Sequence, residues 1–370
     1  MEQKETIFTT ISRLAQEYNA INLGQGFPNF DPDPRMVNIL KELADQKVHQ
    51  YAPMKGNPKL ISRILQLTDH FYQRKLTPEN VLITAGATQA IFTAITALVN
   101  NGDEVIMFDP AYDCYETPIL LQGGVPVRIN LTFPQYRIDW EMVEAKLSTK
   151  TKMIIVNNPH NPSGATFTES DLDQLENILE RYPKLIVLSD EVYEYISFQP
   201  HLSCHNREIL RKRSVIVSSF GKTLHITGWK IGYMIAEKQL LDQITQVHQY
   251  NVFSVNSLCQ EAISKFIEID EVEALSSFFK DKKQLFLSRI QNSKFKILPS
   301  GGTYFQLLDY SNISDESDGE FALKLIKEYG LASIPVSGFY KDKSDHKVLR
   351  FCFGKDDESL IKASEILCQI

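Results

Sequence analysis

The sequence predicts an α/β fold, a mostly parallel sheet flanked by helices and followed by a smaller α+β domain. Three observations predict it. Short apolar runs recur at 81–84, 104–108, 152–156, 185–188 and 214–217, the pattern of strands buried on both faces. Segments with helical apolar spacing separate many of them, as parallel connections require. Beyond residue 293 the texture changes to strands at 295–298, 302–307 and 347–353, with helices at 319–329 and 357–369.

Taken in order, residues 1–20 carry Ile7, Ile11, Leu14 and Ala15 at helical spacing, which predicts an amphipathic helix. Gly24-Gln25-Gly26 follows. A dinucleotide fingerprint needs a third glycine and an uninterrupted helix, and Pro28, Pro32 and Pro34 stand where that helix would run. The stretch therefore reads as a glycine loop with close backbone approach. Residues 35–47 are predicted helical, and 49–53 form a loop carrying Tyr51. The strand 81–84 turns at Ala85-Gly86-Ala87-Thr88 into a helix with Ala90, Ile91, Ala94, Ile95 and Leu98 on one face. That corner is either a plain connection or a helix start offering free N–H groups to an anion. Strand 104–108 ends at Asp109-Pro110-Ala111-Tyr112, and a further strand spans 125–129. Strand 152–156 runs into Asn157-Asn158-Pro159-His160-Asn161, and helix 170–182 shows Leu172, Leu175, Ile178 and Leu179 on one stripe. Strand 185–188 leads to Ser189-Asp190-Glu191-Val192-Tyr193, strand 214–217 to Ser218-Ser219-Phe220-Gly221-Lys222, and 231–236 is another strand. Residues 253–293 are helical in pattern, with the charged passage 278–283 as a bridge between domains. The division expected is a large cofactor-binding domain at 40–280 and a small domain built from 1–39 and 281–370.

Bulk properties narrow the function. Hydrophobic residues make up 43% and charged residues 23%, as in an ordinary globular protein. The net charge of −7 argues against nucleic-acid binding. No apolar run reaches the length of a spanning helix, so no membrane partner is expected. The charged start, Met1-Glu2-Gln3-Lys4-Glu5, shows no signal peptide. Five cysteines without a CxxC suggest free thiols in a reducing compartment, so a cytoplasmic location is expected. No metal site is expected.

In parallel sheets, ligands bind beyond the carboxyl ends of strands, and the polar groups of this chain gather there. Lys222 sits just past strand 214–217. Its amine can form a Schiff base with a carbonyl, pyridoxal phosphate included, and Ser218, Ser219 and Lys230 suit a phosphate nearby. A solvated surface lysine is the alternative. A P-loop is rejected, because its first glycine would fall where Ile216 stands. Asp190 is either a loop acid or a carboxylate facing a pyridine nitrogen. Tyr193 and Asn161 are candidate hydrogen-bond partners of the ring oxygen, Asn161 being otherwise a turn residue. Tyr112 is a packing residue or a flat face for stacking. Arg350 is a surface charge or a bidentate holder of a carboxylate.

Together, Asn22-Leu23-Gly24-Gln25-Gly26-Phe27-Pro28, Asn158-Pro159-His160-Asn161-Pro162-Ser163-Gly164, Ser189-Asp190-Glu191-Val192-Tyr193, the run from Ser218 through Lys222 to Lys230, and Arg350 resemble the fold-type-I pyridoxal-phosphate aminotransferases of class I/II. The branch most similar contains methionine, kynurenine and glutamine–phenylpyruvate aminotransferases. The resemblance implies a seven-stranded large-domain sheet, pyridoxal 5′-phosphate as cofactor, and ping-pong transfer of an amino group to a 2-oxo acid. It implies that Lys222 carries the cofactor, that Asp190 faces its ring nitrogen, and that Asn161 and Tyr193 face its ring oxygen. Tyr112 would stack on the ring. Gly86, Ala87, Thr88, Ser219 and Lys230 would hold the phosphate, and Tyr51 would reach the phosphate of a partner subunit in a homodimer. Gly26, Asn161 and Arg350 would hold the substrate. Many relatives carry arginine where Lys230 stands; lysine keeps the charge without the fork.

Two other functions fit part of this set. A carbon–sulfur β-lyase would use nearly the same residues. A ligand-sensing regulator would place a basic DNA-binding domain ahead of the fold and would tolerate loss of Lys222 or Arg350. For the donor, residues 237–288 contain no arginine and include Tyr250-Asn251-Val252-Phe253-Ser254-Val255-Asn256. If that stretch lies by the substrate, as in the resembling branch, the pocket wall is aromatic and mostly neutral. Methionine and aromatic amino acids, then glutamine, are expected to outrank aspartate and glutamate.

Overall fold

The computed structural model describes residues 7–370, so the charged start of the chain and the first part of the predicted 1–20 helix lie outside the described residues. The helices are α1 (Ile7–Glu17), α2 (Pro34–Ala44), α3 (Pro58–Tyr72), α4 (Ala87–Leu98), α5 (Glu116–Leu121), α6 (Trp140–Lys146), α7 (Glu169–Arg181), α8 (Glu208–Arg213), α9 (Phe220–Thr223), α10 (Lys238–Asn251), α11 (Ser257–Phe266), α12 (Ile269–Ile290), α13 (Asp318–Tyr329) and α14 (Asp357–Gln369). The strands are β1 (Ile21–Asn22), β2 (Val81–Thr84), β3 (Glu104–Asp109), β4 (Val125–Asn130), β5 (Thr151–Asn157), β6 (Ile186–Asp190), β7 (Ser214–Ser219), β8 (Gly232–Ile235), β9 (Lys296–Ile297), β10 (Phe305–Asp309), β11 (Leu331–Ala332), β12 (Ile334–Pro335) and β13 (Val348–Cys352).

Among the described residues the large sheet has seven strands in the order β2-β8-β7-β6-β5-β3-β4. The pairs β3–β4, β3–β5, β5–β6 and β6–β7 are parallel, while β8 runs antiparallel to both neighbours. Alternation along each strand serves two faces. Met107, Ile155 and Val217 pack with Ile91 and Ile95 of α4 and Ile244 of α10 on one side. Ile106, Ile154 and Ile216 pack with Leu172, Leu175 and Ile178 of α7 on the other. With helices on both faces, β6 and β7 are buried at every position, which explains their unbroken apolar texture.

A second, antiparallel sheet has the order β12-β13-β10-β9. The two-residue strands β1 and β11 pair in parallel and bring the start of the chain to it. Helix ends carry local signals. Ser317 and Glu320 form a capping box at the start of α13, and Gly330 closes it at φ +66°. Passage 278–283 lies in the interior of the continuous 22-residue α12. Its charged look comes from long side chains lying along rings: Lys282 over Phe30 and Phe278, and Lys283 over Phe198. No helix among the described residues is long and apolar enough to cross a membrane.

Candidate active site

The carboxyl ends of β5, β6 and β7 open into a cavity of about 770 Å³. Phe305 and Arg350, from the antiparallel sheet, border it from the other side, together with the Gly24–Gly26 loop. Of the sequence-predicted site residues, Gly26, Gly86, Ala87, Thr88, Tyr112, Asn161, Asp190, Tyr193, Ser219, Lys222, Lys230 and Arg350 all border this space.

Lys222 lies in the single turn α9, directly after β7, so the rigid sheet sets its position. Its amine donates to the Gly26 carbonyl at 3.2 Å and lies 5.7 Å from the Tyr193 ring centre and 5.8 Å from that of Tyr304. Burial away from water lowers its pKa to about 8, with the nearby Arg350 and Lys230 charges acting in the same direction. Asp190 ends β6 and is 4% exposed. Its Oδ2 accepts the Tyr115 hydroxyl at 2.6 Å and its Oδ1 the Val192 N–H at 3.3 Å. Burial raises its pKa to about 6, while those two donors and the Lys222 charge hold it from rising further. At neutral pH the carboxylate is therefore the main form.

A phosphate-sized anion has a cradle across the cavity. Gly86, at φ +78°, precedes the 12-residue α4, whose first N–H groups have no helical partners. A β-carbon on Gly86 would lie 3.1 Å from the Lys230 amine, so glycine permits the close approach of cation and backbone. The two neighbouring serines part company. Ser219 borders the cavity. Ser218 points the other way and donates to Glu194, a buried carboxylate that also accepts the Tyr233 hydroxyl at 3.0 Å. Adjacent strand residues face opposite sides, so only Ser219 is available to a ligand.

Arg350 is 2% exposed, not a surface charge. It donates to Asn161 Oδ1 at 2.8 Å and to the Gly24 carbonyl at 2.9 Å, both uncharged acceptors, and its guanidinium lies 4.1 Å from the Phe305 ring centre. Since Arg350 uses the Asn161 carbonyl, Asn161 offers a ligand its amide N–H. A β-carbon on Gly26 would lie 3.1 Å from Phe305 and 3.6 Å from the guanidinium, which is why the loop needs glycine there. Tyr193 is buried against Tyr304 and Phe305, and burial holds its phenol well above the usual value. Burial does the same to Tyr112.

Tyr51 is placed elsewhere. It is 80% exposed and meets Phe253 edge-on at 5.4 Å. Ser254 and Ser257 bond to the carbonyls of Ala52 and Gln50, so the Tyr51 loop and the 250–256 stretch form one surface patch. Neither lines the cavity of its own chain. Three contributions escaped the sequence reading. Tyr115 stands three residues after Tyr112 and looks like core packing. Tyr304, which donates to the Gly26 carbonyl at 2.9 Å, stands just before β10 and looks like a core ring. The polar side of α1, through Thr9, Ser12, Arg13 and Gln16, borders the cavity. Only its 3.6-residue spacing hints that these four share a face.

Known proteins match this chain over its length. The family model described as "Aminotransferase class I and II" matches residues 18–367. A methionine aminotransferase of Escherichia coli (strain K12) is 44% identical over 370 residues, covering 99% of this chain and 96% of the relative. A kynurenine–oxoglutarate transaminase of Dictyostelium discoideum is 32% identical, covering 99% and 94%. A crystal structure of an Escherichia coli protein, whose reactivity identified a methionine aminotransferase function, superposes with a TM-score of 0.97. It is 43% identical, over 100% of this chain and 98% of that one.

Proposed function

The chain belongs to the class I and II aminotransferases, and from that premise we propose that it passes the amino group of methionine or an aromatic amino acid to a 2-oxo acid. The family works with pyridoxal 5′-phosphate, which when bound supplies an aldehyde for the substrate amine and a ring that withdraws electrons from the substrate Cα.

The residues present fit that group. A desolvated amine, a buried carboxylate held by a hydroxyl, and a helix start with a cation beside it border one cavity. Lys222 would hold the cofactor and would carry a proton away from the substrate Cα. With its pKa near 8, a usable fraction of the amine is neutral at physiological pH. Asp190 keeps a negative charge facing the ring nitrogen, while Asn161 and Tyr193 donate to the ring oxygen and Tyr112 covers the ring face. Gly86, Ala87, Thr88, Ser219 and Lys230 hold the phosphate. Arg350 takes the substrate α-carboxylate beside Gly26, and Phe305 and Ile334 keep water from the reacting carbon. The exposed Tyr51 and Phe253 patch faces a second subunit, so that Tyr51 completes the partner's phosphate site in a homodimer. The proposed division, 40–280 against 1–39 with 281–370, runs through α12.

The observation that carries the reading is the Lys222 amine, part-buried and bonded to a neutral carbonyl in the cavity that Asp190 also borders. Borohydride treatment of the purified yellow protein is expected to fix the cofactor on Lys222; a label on another lysine would overturn the assignment. Donor preference is read from a panel at one fixed 2-oxo acid. Phe27, Tyr112, Phe305 and Ile334 make an apolar wall suited to a thioether or a ring. Methionine and aromatic amino acids should therefore exceed aspartate and glutamate in kcat/KM. Aspartate in first place would contradict the proposed donor class.

A further inference from the structure

Behind the strand ends lies a buried polar cluster that the proposed reaction does not use. Glu194 follows Tyr193 and is 5% exposed. Its carboxylate accepts three hydroxyls, from Ser218 of β7, Tyr72 of α3 and, at 3.0 Å, Tyr233 of β8. Burial, and then the Glu191 charge, push its carboxyl above the usual range, while the Ser218 and Tyr72 hydroxyls draw it back. Glu194, Ser218, Tyr72 and Tyr233 all lie outside the lining of the cavity, so the cluster has no contact to offer a substrate.

The cluster stands where a strand ladder runs out. β6 and β7 pair in parallel up to Asp190 and Val217, and the Glu191 N–H donates to the Val217 carbonyl at 2.8 Å. Beyond that point β7 keeps its antiparallel partner β8, with Ser218 opposite Tyr233 and Ser219 opposite Gly232. Successive pairs face opposite sides. The Ser219–Gly232 pair faces the site: Ser219 borders the cavity, and a β-carbon on Gly232 would lie 3.0 Å from the Ala87 nitrogen of the phosphate cradle. The Ser218–Tyr233 pair faces away, and both hydroxyls end on one Glu194 oxygen, Oε1. A single carboxylate thus joins the segment carrying Asp190 and Tyr193 to the strand end carrying Ser219 and Lys222, just where the parallel ladder has stopped.

We propose, on the aminotransferase reading above, that Glu194 is a positioning residue for the amino transfer, holding the Ser218–Lys222 segment at a fixed distance from Asp190 and Tyr193. Stability alone does not account for it. A buried carboxylate costs desolvation, and apolar side chains of similar volume often serve such a place as well or better. What an apolar side chain lacks is direction: three hydroxyl bonds tie β7, β8 and α3 to one point. The task rewards that precision, since an error of about 1 Å in a reacting group costs about 10²-fold in rate.

The test pairs Glu194→Gln, which keeps the volume and removes the charge, with Ser218→Ala, which removes one bond and leaves the acid. In Glu194→Gln, kcat is expected to fall at least about tenfold with KM within about twofold, for methionine and phenylalanine alike. Ser218→Ala should lower kcat about threefold, and should add less in the Glu194→Gln background than it does alone. A second readout needs no turnover. The absorbance of the Lys222-bound cofactor is followed against pH in the holoenzyme, and its midpoint should move by at least about half a pH unit in both variants. A lower Tm with kcat and midpoint unmoved, or a loss carried by KM, overturns the assignment and leaves Glu194 a structural acid. If Glu194→Gln does not fold, Ser218→Ala decides by the same two readouts. A parent protein that transfers an amino group from no donor overturns the aminotransferase reading instead.

Discussion

The cavity has a floor and a roof, and they are made differently. The floor comes from consecutive strand ends. Asn157, Asp190 and Ser219 close β5, β6 and β7, three neighbouring parallel strands held by backbone ladders, and Lys222 follows within one turn. The roof is assembled from pieces remote in sequence. Tyr304 bonds the Gly26 carbonyl, Lys355 the Phe27 carbonyl at 2.8 Å, and the Asp356 N–H the Asn29 side chain at 2.8 Å. The difference separates two tasks. The groups proposed to act on the reacting bonds stand on the stiffest element, where small misplacements are resisted. The proposed substrate grip joins Arg350 on β13, itself paired with β10 and β12, to a glycine loop tied down by side-chain bonds that can yield singly.

That contrast makes floor substitutions fall on kcat and roof substitutions on KM. Lys222→Ala should show the largest effect, a loss in kcat of at least about 10³-fold with the fold retained, read by steady-state rates and circular dichroism. The same position gives a stability test in the cofactor-free protein. The folded amine titrates near 8 and an unfolded lysine near 10.5, so between those values the unfolded chain binds more protons and stability rises with pH. The cost of burying the charge is thus full below about pH 8 and lost towards 10.5. Lys222→Met should raise Tm at pH 7, with a gain that shrinks across that window.

Next in size is Asp190→Asn, expected to lower kcat and kcat/KM together by about 10²–10³-fold, since its charge acts mainly in the transition state. Unchanged turnover would remove Asp190 from the ring. On the roof, Arg350→Lys keeps a charge but loses the fork and should raise KM about tenfold for every amino acid alike. If only some substrates suffered, Arg350 would be contacting side chains. The smallest effect is expected for Tyr115→Phe, a few-fold loss in kcat. Without that hydroxyl the Asp190 pKa should rise above about 6, so the acid limb of the kcat/KM profile should move to higher pH. An unmoved limb would make Tyr115 a packing residue only. A roof variant that lowered kcat at constant KM would break the comparison itself.

The floor was legible in the sequence because each functional residue follows a short apolar strand and the order of motifs is preserved along the chain. The direction of β8 was not, because periodicity marks a strand's faces and carries no sense of direction. Nor were β11 and β12, at two residues each too short for any period. Gly26 and Arg350 were readable on the roof, one from a glycine loop and the other from its family motif. Tyr115 was not, because a tyrosine bonded to a buried acid looks like any core ring until the acid is placed. The polar stripe of α1 was hidden for the opposite reason: charged and hydroxyl side chains at helical spacing usually describe a wet surface, and only tertiary contacts show what lies beyond.

The hydrogen bond from Arg350 to the Gly24 carbonyl spans 326 residues of chain, and that span sets the order in which the enzyme comes into being. A growing polypeptide presents β2 through β8 to solvent long before β13 exists. The place for the cofactor therefore precedes the place for the substrate during synthesis, because contacts this remote in sequence close late. A chain halted just before β13 would retain every cofactor contact proposed above and lack the grip on an amino acid.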